Sequence, residues 1–420
     1  MIRLALFLIA FVSCAAQSAP LTLEDCIRLA LNAPSSVASA RQQVLIAKYG
    51  ITAARAGFLP QLAVANAYAY NSPLRDGSGL GSFVALNGIR EYSTLANANI
   101  NLDTSGRNRA LLARAQADLA IAATSLQINQ RDLRRLVTTA YFRLLLARRL
   151  VQVASDTLTE SQTFQTRTQA LFTGGEVAQA DVTKAAADVA FQQQFVNNAS
   201  MEAQLANHEL ASFWTVDTAQ NLDIVDTLDT PVQPSLAAPG EPRPFLKRFE
   251  FNLYDAQRKG FLADARRARA DLLPQLNITL QYGLDQTRIN ARDRGYAGIV
   301  HFDIPIFDWF RARSLTQQFR LQAAQVENTR QGAERTLSRD YQDALTRVNQ
   351  TYEQLTITDT QVRLSTDNLR ISRVRYEGGE GLALDVVAAQ NQLAQARSNY
   401  FTARANYRNA VADLEVAAGR

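Results

Sequence analysis

Few residues in this chain of 420 are able to do chemistry. There are two histidines, His208 and His301, on different predicted elements, and two cysteines, Cys14 and Cys26. That spread gives no basis for a His/Cys metal site. Two cysteines, one of them in a leader-like segment, also exclude a disulfide framework, and Cys26 reads as an inert buried thiol. Glycines at 77–81 have no following Lys, so they are not a phosphate loop. No nucleophile–base pair or carboxylate dyad emerges. The reading is therefore no catalytic residue, no cofactor and no metal. What remains is a matched pair of acids. Asp181 lies six residues after Gly174-Gly175, and Asp385 six residues after Gly378-Gly379. The glycine pairs suit left-handed turns that end helices. A carboxylate in the next first turn complements the helix dipole. Lys184 and Tyr376 flank the two acids.

The elements that position these residues come from an internal duplication. Ala54-Arg55-Ala56-Gly57-Phe58-Leu59-Pro60-Gln61-Leu62 returns as Ala268-Arg269-Ala270-Asp271-Leu272-Leu273-Pro274-Gln275-Leu276, 214 positions later. Phe172-Thr173-Gly174-Gly175-Glu176 returns as Tyr376-Glu377-Gly378-Gly379-Glu380, 204 positions later. Residues 107–173 contain no Pro and no Gly, and 311–377 contain one Gly. Apolar and small residues recur there in steps of four and three, a heptad pattern. One row runs through Leu133, Leu136, Ala140, Leu144, Ala147, Val151, Ala154 and Leu158. The other runs through Leu337, Tyr341, Ala344, Val348, Thr351, Leu355, Thr358, Val362, Ser365, Leu369, Ser372 and Tyr376. Each helix would extend about 100 Å at 1.5 Å per residue. Shorter helices are expected over 22–57, 176–213, 246–272 and 380–418. Stacked in pairs, they roughly match the long ones, which suggests a rod in which each repeat runs down once and returns in two pieces.

Between the helices lie four strand candidates. Leu276, Ile278, Leu280, Tyr282 and Leu284 alternate with polar residues. Val300, Phe302, Ile304 and Ile306 alternate with His301, Asp303 and Pro305; in the first repeat Leu62, Val64, Tyr68 and Tyr70 alternate with small residues, and Ala96, Ala98, Ile100 and Leu102 with Leu95, Asn97, Asn99 and Asn101. Strands of this length, apolar on one face only, suit lipid outside and water inside. A strand half-buried in a soluble sandwich has the same local pattern. Segments 71–91 and 286–296 read as loops. The domain plan is a signal peptide at 1–19, a first repeat at 20–227, a Pro-rich linker at 228–245 and a second repeat at 246–420. Leu4 to Val12 form the apolar part of the leader; a lipoprotein site at Cys14 is the alternative. The +5 net charge comes from scattered arginines interleaved with acids, so it reads as solvated helix faces and not as nucleic-acid binding. No apolar run is long enough for a transmembrane helix. Trp309, after the last strand, suits a membrane interface.

Taken together, these features resemble the TolC-type outer-membrane efflux proteins. The resemblance covers about residues 21–419. It is carried by the opening Leu21 to Asn32, the two Leu-Pro-Gln-Leu signatures, Ile304-Pro305-Ile306-Phe307-Asp308, Arg375-Tyr376-Glu377-Gly378-Gly379 and Leu414 to Gly419. The fold this implies is mainly α with a small β part. Each protomer of a homotrimer gives four strands to one 12-stranded outer-membrane β-barrel, and long coiled-coil helices form an α-helical periplasmic barrel. The resemblance also implies a periplasmic adaptor and an inner-membrane pump as partners, the exit duct of a tripartite efflux or type I secretion system. Asp385 matches a position that forms an acidic ring at the tunnel tip. Asp181 matches a residue that locks neighbouring hairpins; its usual basic partner falls near Gly381, leaving Lys184 or Arg373 as substitutes. Tyr376 matches a tip tyrosine. Gly174, Gly175, Gly378 and Gly379 match the turns where an adaptor docks. Ala388 stands where a second tip aspartate is common, which implies a weaker constriction.

Two other readings compete. A periplasmic coiled-coil spacer or adaptor without a channel would show no lipid-facing strands. An enzyme or toxin on a stalk would need a compact catalytic region, and no segment between the helices is long enough.

Overall fold

The computed structural model describes residues 20–72, 88–231 and 243–419. The expected leader with Cys14, the loop glycines 77–81 and most of the Pro-rich linker lie outside the described residues. The described chain holds helices α1 (Leu23–Asn32) and α2 (Ser36–Ala56), strands β1 (Gln61–Tyr70) and β2 (Arg90–Leu102), and helices α3 (Arg107–Thr173) and α4 (Gln179–Ala211). The second repeat follows in the same order as α5 (Phe249–Ala270), β3 (Gln275–Gln286), β4 (Gly295–Asp303), α6 (Arg311–Glu377) and α7 (Ala383–Ala417). The duplication extends to the hydrogen bonds. At the helix-to-strand turns Phe58 and Leu59 donate to the carbonyls of Arg55 and Ala56, and Leu272 and Leu273 donate to those of Arg269 and Ala270. Pro60 and Pro274 then turn the chain into β1 and β3, since a proline cannot continue the helical ladder.

Three sequence expectations need correction. The single helix expected over 22–57 is two. Pro34 disfavours helical backbone at Ala33, whose ψ is 156°, and the helix ends there. Thr22 caps α1 through a reciprocal box with Asp25; the Thr22 hydroxyl bond holds the Asp25 carboxyl below its ordinary range. The fourth strand begins at Gly295 and ends at Asp303, so Ile304 and Ile306 lie beyond it and the expected loop at 286–296 is shorter. Pro305 has no N–H to give to a ladder. Arg90 and Glu91 likewise belong to β2 and not to a loop.

The contacts divide the chain into two compact units that cut across the repeats. One contains α1, residues 132–231 and residues 343–415. Its core includes Ala30, Val137, Tyr141, Leu144, Leu145 and Leu210. Part of it lies beneath an extended strap, residues 215–231. Leu21 N–H donates to Asp223 O at 2.8 Å and Val225 N–H to Leu21 O at 3.0 Å. The Tyr141 hydroxyl donates to Val225 O at 2.5 Å. Arg148 reaches the Leu222 carbonyl, and Arg149 pairs with Asp226 and Asp229, each at 2.6 Å. Burial pushes the Cys26 thiol up to about 11 and the Tyr141 hydroxyl up to about 12. In α6 all the residues of the heptad row from Leu337 to Tyr376 are buried or half-buried, and in α3 so are all of the row from Leu133 to Leu158 except Leu136, which is exposed; the buried stripe of α3 widens to take in Val137, Tyr141 and Leu145.

The other unit contains α2, the four strands, residues 107–131 and 243–342, and the C-terminal end. Its second half is anchored at Glu250. Arg131 and Arg248 both pair with Glu250 Oε1, at 2.9 Å and 2.7 Å. Against the cost of burial, their hydrogen bonds hold the Glu250 carboxyl at about 2. Nearby, Gly419 adopts φ +80° against the backbone of Lys247 and Arg248, and Phe245, Phe251 and Leu337 form a small core.

The depressed Glu250 value sets a sign. Its contribution is complete above the free carboxyl's ordinary 4.5 and is lost as pH falls from there toward about 2. Glu250→Gln is therefore expected to lower unfolding stability at neutral pH by about 3 kcal/mol and to flatten the acid loss. Denaturant melts of both forms across that range check it; equal slopes would show that the cluster is not the acid-labile point.

Candidate functional site

The strands separate two chemistries. All three pairings are antiparallel, in the order β1-β2-β3-β4, and the register places residues opposite one another across the sheet. Leu62, Ala98, Leu280 and Gly298 share one line, and Val64, Ala96, Tyr282 and Tyr296 the next. That face is apolar and open, with Leu62, Val64, Tyr282, Tyr296, Val300 and Phe302 all exposed. The opposite face carries Gln61, Asn97, Asn99 and Asn101 facing Gln281, Thr279 and Asn277, with His301 beside Asn277. The Thr279 hydroxyl donates to Asn99 Oδ1 at 2.9 Å. Leu95 and Ile299 are exceptions on this polar face, and β1 contributes mostly alanines to it, Ala63, Ala65, Ala67 and Ala69. β1 and β4 are the two sheet edges among the described residues. Among the described residues no helix is long and apolar enough to cross a membrane; the period-2 alternation instead matches a β-barrel wall.

The two glycine turns are built alike. Glu176 N–H donates to Leu171 O and Gly175 N–H to Phe172 O; Glu380 N–H donates to Arg375 O and Gly379 N–H to Tyr376 O. These are paired six-to-one and five-to-two bonds, with the left-handed residue at Gly175 (φ +82°) and Gly379 (φ +75°). Gly174 and Gly378 precede them within the same turns. A Cβ at Gly381 would lie 3.0 Å from the Tyr376 nitrogen, so a side chain there is crowded against this backbone.

The structure places the sequence-selected side chains as follows. Asp385 is exposed in the first turn of α7, where its carboxylate accepts from Leu382 N–H at 3.3 Å. Asp181 occupies the matching turn of α4, and Lys184 approaches it at 3.9 Å. Arg373 is not with Asp181 but with Glu160, at 3.3 Å. Tyr376 is buried, its ring 5.2 Å from that of Phe164, within a cluster that includes Ala185, Leu369, Ala383, Val386 and Leu393. Its hydroxyl has no hydrogen-bond partner among the described residues. His208 is exposed at the end of α4. No group of three or more His, Cys, Asp or Glu side chains able to hold a metal occurs among the described residues.

Sequence reasoning missed a polar belt above this cluster. Ser161 donates to Asp188 Oδ2 at 2.6 Å, Gln192 donates to Asn391 at 2.8 Å and to Asp188 at 3.3 Å, and Gln390 is almost fully buried beside them. The signal was present: Asp188 and Gln192 continue the buried stripe of Val182 and Ala185 along α4. A carboxylate buried in this way joins α3, α4 and α7. Asp188→Ala is expected to cost about 2 kcal/mol, because it strands the hydroxyl and amides it accepts from, and Asp188→Asn less. Thermal unfolding of the two variants tests this; equal losses would mean that volume and not hydrogen bonding holds the site.

Comparison with known proteins agrees with this geometry. The model of the outer membrane efflux protein family matches residues 26–215 and 248–420. A search of curated protein sequences finds no match. Among solved structures, the chain is similar to a membrane protein from Pseudomonas aeruginosa, with TM-score 0.83, 21% identity, and 94% of this chain and 92% of that one covered. It is similar to the Campylobacter jejuni CmeC outer membrane channel, with TM-score 0.84, 15% identity, and 94% and 85% covered. It is also similar to the open state of the Neisseria gonorrhoeae MtrE outer membrane channel, with TM-score 0.80, 20% identity, and 94% and 88% covered. At these identities the structural matches establish the fold.

Proposed function

The chain belongs to the outer membrane efflux protein family, transport channels of the outer membrane, and from that premise we propose that three copies close one 12-stranded barrel and pass cargo to the exterior. The observation that carries this is the sheet itself. It has an apolar face, an amide-rich face and two edges whose backbone groups need partners in hydrocarbon. Four strands cannot close on themselves, so copies of the same sheet supply the missing neighbours. The polar face then lines a water-filled passage and the apolar face meets lipid.

At the far end of the long helices, the turns at Gly174-Gly175 and Gly378-Gly379 are the docking points for a periplasmic adaptor, and an inner-membrane pump supplies the energy. The hairpins at 165–185 and 370–390 twist apart to open the tip. Asp385 is exposed and free to face its symmetry mates, so three carboxylates there would draw cations. The bond to Leu382 N–H supports a second role as a helix cap. Asp181, with Lys184 on its own helix, would hold adjacent hairpins together. Tyr376 acts through packing: its buried ring fixes the angle between α3 and α6 near the turns.

Single-channel recording in planar bilayers tests the reading, wild type against Asp385→Ala. Discrete steps with cation preference, reduced at least twofold in the variant, are expected. Steps unchanged by the substitution would keep the channel and leave Asp385 as a cap alone. Folded protein that never inserts would favour a periplasmic spacer.

A further inference from the structure

The two repeats differ at the turn from strand into long helix. Both use an acidic cap: Asp103 accepts from Asn108 and Arg109 N–H ahead of α3, and Asp308 from Ala312 N–H ahead of α6. In the first repeat the residue before the helix is Gly106, at φ +78°. In the second it is Phe310 at φ +63°, preceded by Trp309 at φ +55°. Left-handed backbone is the conformation that side-chain-bearing residues avoid, bulky ones most. The pair forms a turn closed by Arg311 N–H to Asp308 O at 3.1 Å, a conformation that costs more with bulky side chains than with glycine. The rings gain nothing from the protein's own core in return: Trp309 is 84% exposed and Phe310 60%. Both rings instead gather edge-on against Phe307, at 4.9 Å and 5.8 Å, to form an outward aromatic patch.

The surroundings identify what the patch meets. It continues the apolar sheet face through Phe302, Ile304 and Ile306, all exposed. Arg311 and Arg313 follow immediately, both exposed and neither in an ion pair among the described residues. Along the chain the order is apolar strand, aromatic turn, then guanidinium. A bilayer presents the complementary order of hydrocarbon, interface and phosphate.

We propose that Trp309 and Phe310, with Arg311 and Arg313, form an anchoring site for an anionic phospholipid of the leaflet nearer the long helices. The rings seat at headgroup depth, and the guanidiniums, two residues apart and so on different sides of α6, each meet a headgroup phosphate. Burial of the rings in the leaflet offsets the backbone strain. This rests on the apolar sheet face being lipid-facing, and the experiment separates the two.

With Trp214→Phe, Trp309 is the single tryptophan. The full chain is reconstituted in phosphatidylcholine vesicles with and without phosphatidylglycerol, using lipids brominated near the headgroup. The expected result is blue-shifted Trp309 emission with quenching at least twofold stronger when phosphatidylglycerol is present. Arg311→Gln with Arg313→Gln is expected to remove that dependence and leave conductance. Phe310→Gly is expected to raise the unfolding temperature in detergent while weakening the phosphatidylglycerol effect. Conducting channels whose Trp309 stays water-like would overturn the anchor and spare the channel. So would quenching indifferent to phosphatidylglycerol, or blue-shifted emission already present in lipid-free detergent, which would point to a second copy covering the patch. Failure to insert would overturn the lipid-facing reading and the anchor together.

Discussion

A sheet placed in hydrocarbon must satisfy every backbone N–H and C=O from within the protein. Four strands in the order β1-β2-β3-β4 leave β1 and β4 as edges, so this sheet is incomplete by construction. Much of the rest follows from that deficit. On the function proposed above, copies of the chain complete the sheet. One face must be apolar and the other polar, which a period of two provides without further design. The chain must also enter the sheet from a helix twice, and the paired Pro60 and Pro274 turns do so with the same hydrogen bonds.

Away from the sheet the limiting problem changes from backbone pairing to register. Two uninterrupted helices of 67 residues each offer many near-equivalent heptad alignments. Polar residues inside such packing penalise the wrong ones, since a slip strands a buried acceptor. Asp188 with Ser161, Gln192 and Asn391 in one unit, and Glu250 with Arg131 and Arg248 in the other, are placed to do this. Their pairing also rests on opposite physics. Glu250 is neutralised by cations and loses its grip in acid, whereas Asp188 accepts from neutral donors.

Most of the fold was legible because its signals are local and repeated. Both long helices begin and end where the absence of Pro and Gly predicted, and the alternation at Leu276–Leu284 fell inside β3. What was missed was non-local. The predicted α3 row is buried or half-buried except at Leu136, and the buried stripe also takes in Val137, Tyr141 and Leu145, part of it beneath the strap at 215–231. No periodicity within α3 reports a strap from another segment. The single helix expected over 22–57 failed for a local reason that was available, the proline at 34. Of the candidate site, the glycine turns were legible as backbone necessities. The substitute partner for Asp181 was not: Arg373 and Lys184 are equally basic in sequence, and only the packing sends Arg373 to Glu160.

The duplication also makes deviations informative. Where two copies of one design share a turn, the simpler copy shows what the backbone needs, and the other shows what was added to it. Gly106 shows that the entry to a long helix needs a left-handed residue. Phe310 meets the same need at greater local cost, about 1–2 kcal/mol for a residue with a side chain. A sequence free to place glycine there gains stability by doing so. An aromatic pair in that turn, exposed beside two open guanidiniums, fits the lipid contact proposed for the second repeat, for which Gly106 in the first repeat offers no counterpart.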